Sequence, residues 1–119
     1  MYDHQPRTTT PDDLPEVITR YLTAHRADDS ATAVTTFTDY ATVIDDGNTH
    51  QGSAAIEQWL NQSAGKFTHT IHLTGAQKID TAHYIATRHL KGDFPGGTVD
   101  LRYRFTLRDD LIEHLAIEP

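Results

Sequence analysis

In Phe37-Thr38-Asp39-Tyr40-Ala41-Thr42-Val43-Ile44-Asp45-Asp46-Gly47 the chain changes period. A short helix is predicted to end at Phe37, a tight turn follows, and Ala41 to Ile44 reads as a β-strand carrying Asp45 at its far end. Upstream, Leu14, Val17, Ile18, Tyr21, Leu22 and His25 recur at helical spacing, which predicts an amphipathic helix over 12–28 with Tyr21 on its buried stripe. A carboxylate at a strand mouth beside a tyrosine on a helical apolar stripe is a way to set a general base against an apolar ligand. The alternative for Asp45-Asp46-Gly47 is turn chemistry alone.

Outward from this stretch, Asp12 or Asp13 can cap the first helix, and Pro15 is tolerable in its first turn. Ser30 can start a second short helix with Ala31, Val34 and Phe37 inward. Asp46-Gly47-Asn48 is turn chemistry, and Ser53 caps a third helix that buries Ala55, Ile56, Trp59 and Leu60 and stops at Gly65. From Lys66 the period becomes two: Phe67, His69, Ile71 and Leu73 alternate with polar residues. Asp80-Thr81 turns into a strand over His83–Lys91, and the Gly92–Gly97 run turns into one on which Leu101, Tyr103, Phe105 and Leu107 alternate. Arg108-Asp109-Asp110 turns into the last, Leu111–Glu118. Helices followed by a run of antiparallel strands predict an α+β domain with the helices on one face of a curved sheet. Residues 1–11 read as a flexible N-terminal tail and 12–119 as one domain, with no repeat or linker.

A chain of 119 residues can bury a single core without staples, and zero cysteines remove disulfides, thiolate nucleophiles and thiolate metal sites together. That composition fits a reducing cytoplasm. No apolar run approaches the ~20 residues a bilayer span needs, and the first ten residues lack the apolar core of a signal peptide. The net charge of −7 argues against nucleic acid, where a basic face should dominate. The expectation is therefore neither nucleic-acid nor membrane binding.

Arg20-Tyr21, the run Phe37-x-x-x-Ala41-Thr42-Val43-x-Asp45, and Gly52-x-Ala54-Ala55-Ile56, at these separations, resemble the nuclear transport factor 2-like superfamily. That superfamily includes the ketosteroid isomerases and the SnoaL-like polyketide cyclases, and the resemblance covers roughly residues 12–118. It implies a cone-shaped, curved, mostly antiparallel sheet with three N-terminal helices packed on its concave face, a cystatin-like α+β roll. It further implies Asp45 as the proton-shuttling carboxylate and Tyr21 as donor to a developing oxyanion. The bland alternative for Tyr21 is a core tyrosine. The isomerase pattern breaks where a second, protonated Asp should stand: matching Tyr103-Arg104-Phe105 puts Leu101 there, and Asp100 points to the other face.

Counting back from Gly92, Tyr84, Ala86, Arg88 and Leu90 share one face of their strand, and the resemblance turns that face inward. Arg88 would then pair with Asp45 or bind a ligand oxygen, or else snorkel to the sheet edge. The spacing that marks the epoxide hydrolases of the superfamily is absent. His69 has the parity of Ile71 and can line the pocket as an acid or base, or lie exposed at its open end. Trp59, Ile71, Tyr84, Tyr103, Phe105 and Ile117 are expected in or around the interior. Eight histidines raise the question of a metal, but His69 and His72 project to opposite faces of a strand and His83 and His89 lie ~20 Å apart along one, so none is expected. No phosphate loop or nucleophile elbow occurs. The sequence thus predicts cofactor-free acid/base chemistry (isomerisation, cyclisation or dehydration) on a small hydrophobic carbonyl compound, or non-catalytic binding of such a molecule in the same pocket. A homodimer through the outer sheet face is also expected.

Overall fold

The computed structural model describes residues 7–9, 13–63, 69–92 and 96–119, with the backbone alone for Arg7–Thr9, Ser63 and His69. The elements are β1 (Arg7–Thr9), α1 (Glu16–Arg26), α2 (Ser30–Val34), β2 (Phe37–Asp45), β3 (Asn48–Gln51), α3 (Ser53–Ser63), β4 (His69–Lys78), β5 (His83–Gly92), β6 (Thr98–Arg108) and β7 (Leu111–Glu118). The strands form a single sheet in the order β1-β4-β5-β6-β7-β2-β3. Every pairing is antiparallel except β2 with β7, so the domain is the expected α+β roll with three helices on a curved, mostly antiparallel sheet.

Several boundaries move. Strand β1 falls inside the stretch read as a tail and pairs Arg7–Thr9 with Lys78–Ala76 of β4. Helix α1 starts later than expected, with Pro15 as its N-cap and no side-chain cap bond. Helix α2 ends at Val34, and Phe37 begins the strand instead of closing the helix. Its cap is Asp29, whose carboxylate accepts from the Thr32 amide at 3.2 Å. Phe67, Gly65 and Lys66 lie outside the described residues.

The core sits between the helices and the sheet. Val17, Ile18, Tyr21 and Leu22 of α1 and Ile56, Trp59 and Leu60 of α3 close over Val43, Ala86, Tyr103, Phe105 and Leu115. Extra residues bend the sheet, among them several in β2 between Phe37 and Thr42, where it pairs with β7. Register shifts between Leu73 and Gly75 on β4, and again where Thr106–Leu107 of β6 faces β7, leaving Thr74 and Glu113 unpaired. The last of these bulges corrects one expectation. Simple alternation along Leu111–Glu118 would put Ile112 with His114 and Ala116 on the outer face, but the extra residue at Glu113 returns it to the interior, where it is fully buried. Ile85 keeps its outer parity yet is also buried, at 7% exposure within the single chain.

Candidate functional site

Asp45 is the last residue of β2, and alternation from Ala41 and Val43, both fully buried, carries it to the inner face. The turn that follows has Asp46 at φ 53° and Gly47 at φ 77°, the two-residue geometry that closes a hairpin with matching twist. It pairs Asp45 with Asn48, while the parallel neighbour of Asp45 on β7 is Ile117. Trp59, one turn along α3 from the buried Ile56, donates its indole N–H to Asp45 Oδ2 at 3.0 Å. His50 of β3 stacks on the Trp59 ring, with centroids 5.9 Å apart. Asp45 is thus half-buried, with one oxygen held.

Tyr21 is fully buried. Its ring packs edge-on against Phe37 and Phe105 and stacks on His25, with centroids 5.5, 5.8 and 5.7 Å away. Its hydroxyl has no hydrogen-bond partner among the described residues. Burial drives the phenol pKa far above its ordinary value; Tyr103 and the Asp45 carboxylate push the same way, and Arg88 opposes them. Burial likewise raises Tyr103, with Arg88 opposing. Both phenols are therefore neutral donors at any physiological pH.

Arg88 is 2% exposed on the inner face of β5, opposite Leu73 on one side and Leu101 on the other. Leu101, which the resemblance matches to the second acid of the ketosteroid isomerases, pairs with Arg88 across the ladder, so the neighbour there is aliphatic. The expected contact with Asp45 is not made. Instead Arg88 Nη1 lies 3.2 Å from His25 Nδ1 and Nη2 donates to the Leu22 carbonyl at 3.4 Å, while the guanidinium carbon sits 5.1 Å from the Tyr103 ring centroid. A guanidinium only donates, so His25 Nδ1 accepts. Arg88 misses Asp45 because the docking of α1 brings the helix end, not the β2 end, over β5. The head is buried, so it does not snorkel to the edge.

Arg88 forms one wall of a cleft of about 190 Å³ between α1 and β4–β5, with Leu22, Ile71 and Leu73 as its apolar lining and Thr19, Thr23 and Arg26 along the helix side. Of the residues expected around a pocket, Ile71 and Arg88 line this cleft. Tyr84, Tyr103, Phe105 and Ile117 are buried in the packed core, and Trp59 braces Asp45. The His69 side chain lies outside the described residues. Sequence reasoning missed His50, His25 as the partner of Arg88, and the helix wall. Thr19, Leu22, Thr23 and Arg26 share one stripe of α1, a spacing visible in the sequence but without a sign of what it would face. Among the described residues no three His, Asp or Glu side chains converge as a metal site would need. No described helix is long and apolar enough to cross a membrane.

This architecture recurs among known structures. A candidate polyketide cyclase from Sinorhizobium meliloti superposes with a TM-score of 0.84 at 29% identity, over 92% of this chain and 100% of that one. A Catenulispora acidiphila protein of ketosteroid isomerase-like fold, in complex with trimethylamine, gives 0.77 at 19% identity over 93% and 87%. A Mycobacterium tuberculosis protein in complex with estradiol-17β-hemisuccinate gives 0.71 at 13% over 87% and 90%. No curated protein matches the sequence. The family model of the SnoaL-like domain matches residues 7–112. With that match spanning nearly the whole chain, the protein belongs to the SnoaL-like domain family of the nuclear transport factor 2-like superfamily.

Proposed function

We propose that this domain binds a small, largely apolar carbonyl compound between α1 and the sheet and moves a proton on it without a cofactor. The observation that carries the reading is the Tyr21 hydroxyl, fully buried and without a protein partner among the described residues. A buried polar group left unpaired costs about 1–3 kcal/mol, and a ligand oxygen would relieve it. Tyr21 donates to the carbonyl oxygen as negative charge develops there, a stabilisation worth roughly 3 kcal/mol in comparable sites. The positive charge of Arg88, which already acts on Tyr21, favours the same oxyanion. Asp45 removes the proton: Trp59 fixes one oxygen and leaves the other for the substrate. His69 is the second proton carrier. Both contacts of Arg88 are long for hydrogen bonds, so exchanging one for a ligand oxygen as the ligand moves inward costs little.

The small molecules in the similar structures, trimethylamine and a steroid ester, support occupancy of such a fold by compact organic ligands. A second reading, ligand binding without turnover, draws on the tight packing of Tyr103 and Phe105 beneath Tyr21, which leaves the interior close-fitting. Deuterium exchange separates the two. Incubated in heavy water with the apolar ketone 2-tetralone, the protein should accelerate exchange at the carbon next to the carbonyl, and Asp45→Asn should remove the acceleration. Binding of the ketone with exchange no faster than in buffer would leave the non-catalytic reading. We also infer that two copies associate through the outer sheet face, where Thr87, His89, His114 and Ala116 are only half-covered.

A further inference from the structure

Among the described residues, Arg88 and Arg26 are cations without counter-ions. The ion pairs of the described residues engage Arg20, Arg104 and Arg108 with glutamates, and neither Arg88 nor Arg26 takes part in one. Both line the cleft between α1 and β4–β5. For the exposed Arg26 this is ordinary. For Arg88 it is not: among the described residues, a guanidinium at 2% exposure meets an imidazole nitrogen, a backbone carbonyl and Tyr103, and no carboxylate. Those groups solvate the charge and do not neutralise it, and a buried, unpaired charge is costly. Although the chain carries 17 acidic side chains against 10 basic ones, no described carboxylate lines this cleft.

We propose that the cleft recognises a carboxylate, so that the ligand of this domain is a compact apolar carboxylic acid. Its carboxylate docks on the planar fork of Arg88, with Arg26 at the rim, and its hydrocarbon body lies against Leu22, Ile71 and Leu73. A fork with free N–H groups fits a carboxylate by two parallel bonds, while the two long contacts to His25 and Leu22 leave room for them. The threonines at 19 and 23 add hydroxyl donors on the helix side. This inference rests on the pocket reading above and narrows it: the molecule carrying the reactive carbonyl also carries a permanent negative charge.

The test uses two probes of the same shape, 4-phenylbutanoate and 4-phenylbutanamide, titrated calorimetrically into the whole chain at neutral pH and low salt. The acid should bind about tenfold tighter than the amide or more, as a charge-assisted pair exceeds a neutral one. The methyl resonances of Leu22, Ile71 and Leu73 should shift with both. In Arg88→Met, which keeps the stem and removes the charge, the acid and amide should bind alike. Arg26→Ala should lower the preference for the acid by about twofold, a rim charge being screened. If Arg88→Met does not fold, the Arg88 Nε resonance of the unaltered protein decides: a shift with the acid but not the amide supports the assignment, and no shift with the acid overturns it. Equal affinities for acid and amide would overturn the carboxylate assignment while leaving the apolar pocket standing, as would a preference that survives in Arg88→Met. Binding of neither probe would overturn both.

Discussion

The indole N–H of Trp59 donates to Asp45 Oδ2 at 3.0 Å, tying the middle of α3 to the end of β2. Two structural habits meet in this bond. Strand alternation brings Asp45 inward, and the i, i+3 step from Ile56 aims Trp59 down at it. Because Trp59 is the sole tryptophan of the chain, its fluorescence reports on this one carboxylate.

Asp45→Asn should therefore separate catalysis from folding. The asparagine carbonyl can still accept from Trp59, so the bond survives and the charge does not. Turnover of any ketone found to exchange should fall by about 10²–10⁴-fold, the usual contribution of a general base, with a melting temperature that stays level or rises. Trp59 emission should shift with the lost charge. Full exchange activity in the variant would remove Asp45 from the mechanism.

Tyr21 and Tyr103 should resist alkali. Burial raises both phenol pKa values above the ordinary 10.0. The sign follows from which state releases the proton first. A raised folded pKa contributes stability that is present in full below the unfolded value near 10 and is lost as the pH climbs beyond it, because the unfolded chain ionises first. In an alkaline titration of phenolate absorbance, Tyr21→Phe and Tyr103→Phe should leave the native amplitude unchanged until the chain unfolds. Loss of a full tyrosine's absorbance near pH 10 in either variant, with the fold intact, would contradict this burial.

The β6–β7 turn is more strained than the β2–β3 turn. Asp109 and Asp110 both adopt left-handed backbone, at φ 52° and 64°, whereas the earlier turn puts glycine second. Asp110→Gly should stabilise the domain by about 0.5 kcal/mol, the relief of strain exceeding the extra freedom of the unfolded glycine. Asp110→Val should cost about 1–2 kcal/mol. Urea unfolding with an unchanged slope measures both, and a destabilised Asp110→Gly would mean that the aspartate side chain holds the turn.

Association through the outer sheet face should give a two-fold dimer at micromolar concentration. Ile85 is already buried in one chain, so substituting it would test folding. Ala116 lies half-covered on the outward parity of β7, and Ala116→Glu should split the dimer without altering the melting curve of the monomer. A light-scattering mass equal to one chain for the unaltered protein would rule the dimer out.

The long strands and the outer helices were legible because their apolar residues repeat at the period of the element that buries them. Strand β3 was not: Asn48-Thr49-His50-Gln51 has no aliphatic residue, and its existence depends on the Asp46-Gly47 turn folding it back on β2. That two-residue turn was the available signal. The bulges at Thr74 and Glu113 were also hidden, because an extra residue is fixed by what the partner strand can pair, and alternation then assigns Ile112 to the wrong face. At the site, the inward positions of Asp45 and Tyr21 follow from local period, whereas that of Arg88 came from the family resemblance, because alternation alone does not say which face of its strand is inner. The partner of Arg88 follows from neither, since His25 lies 63 residues away and meets it only through the docking of α1 on the sheet.

The central claim is that the Tyr21 hydroxyl is kept for a ligand oxygen. Comparing the unaltered protein with Tyr21→Phe, in melting temperature without ligand and in affinity for 2-tetralone, tests it most directly. A hydroxyl with no partner among the described residues contributes nothing to folding, so Tyr21→Phe should melt at the same or a higher temperature. It should bind the ketone about tenfold more weakly, having lost the donor. A lower melting temperature with unchanged affinity would show that the hydroxyl serves the fold, and would contradict the account.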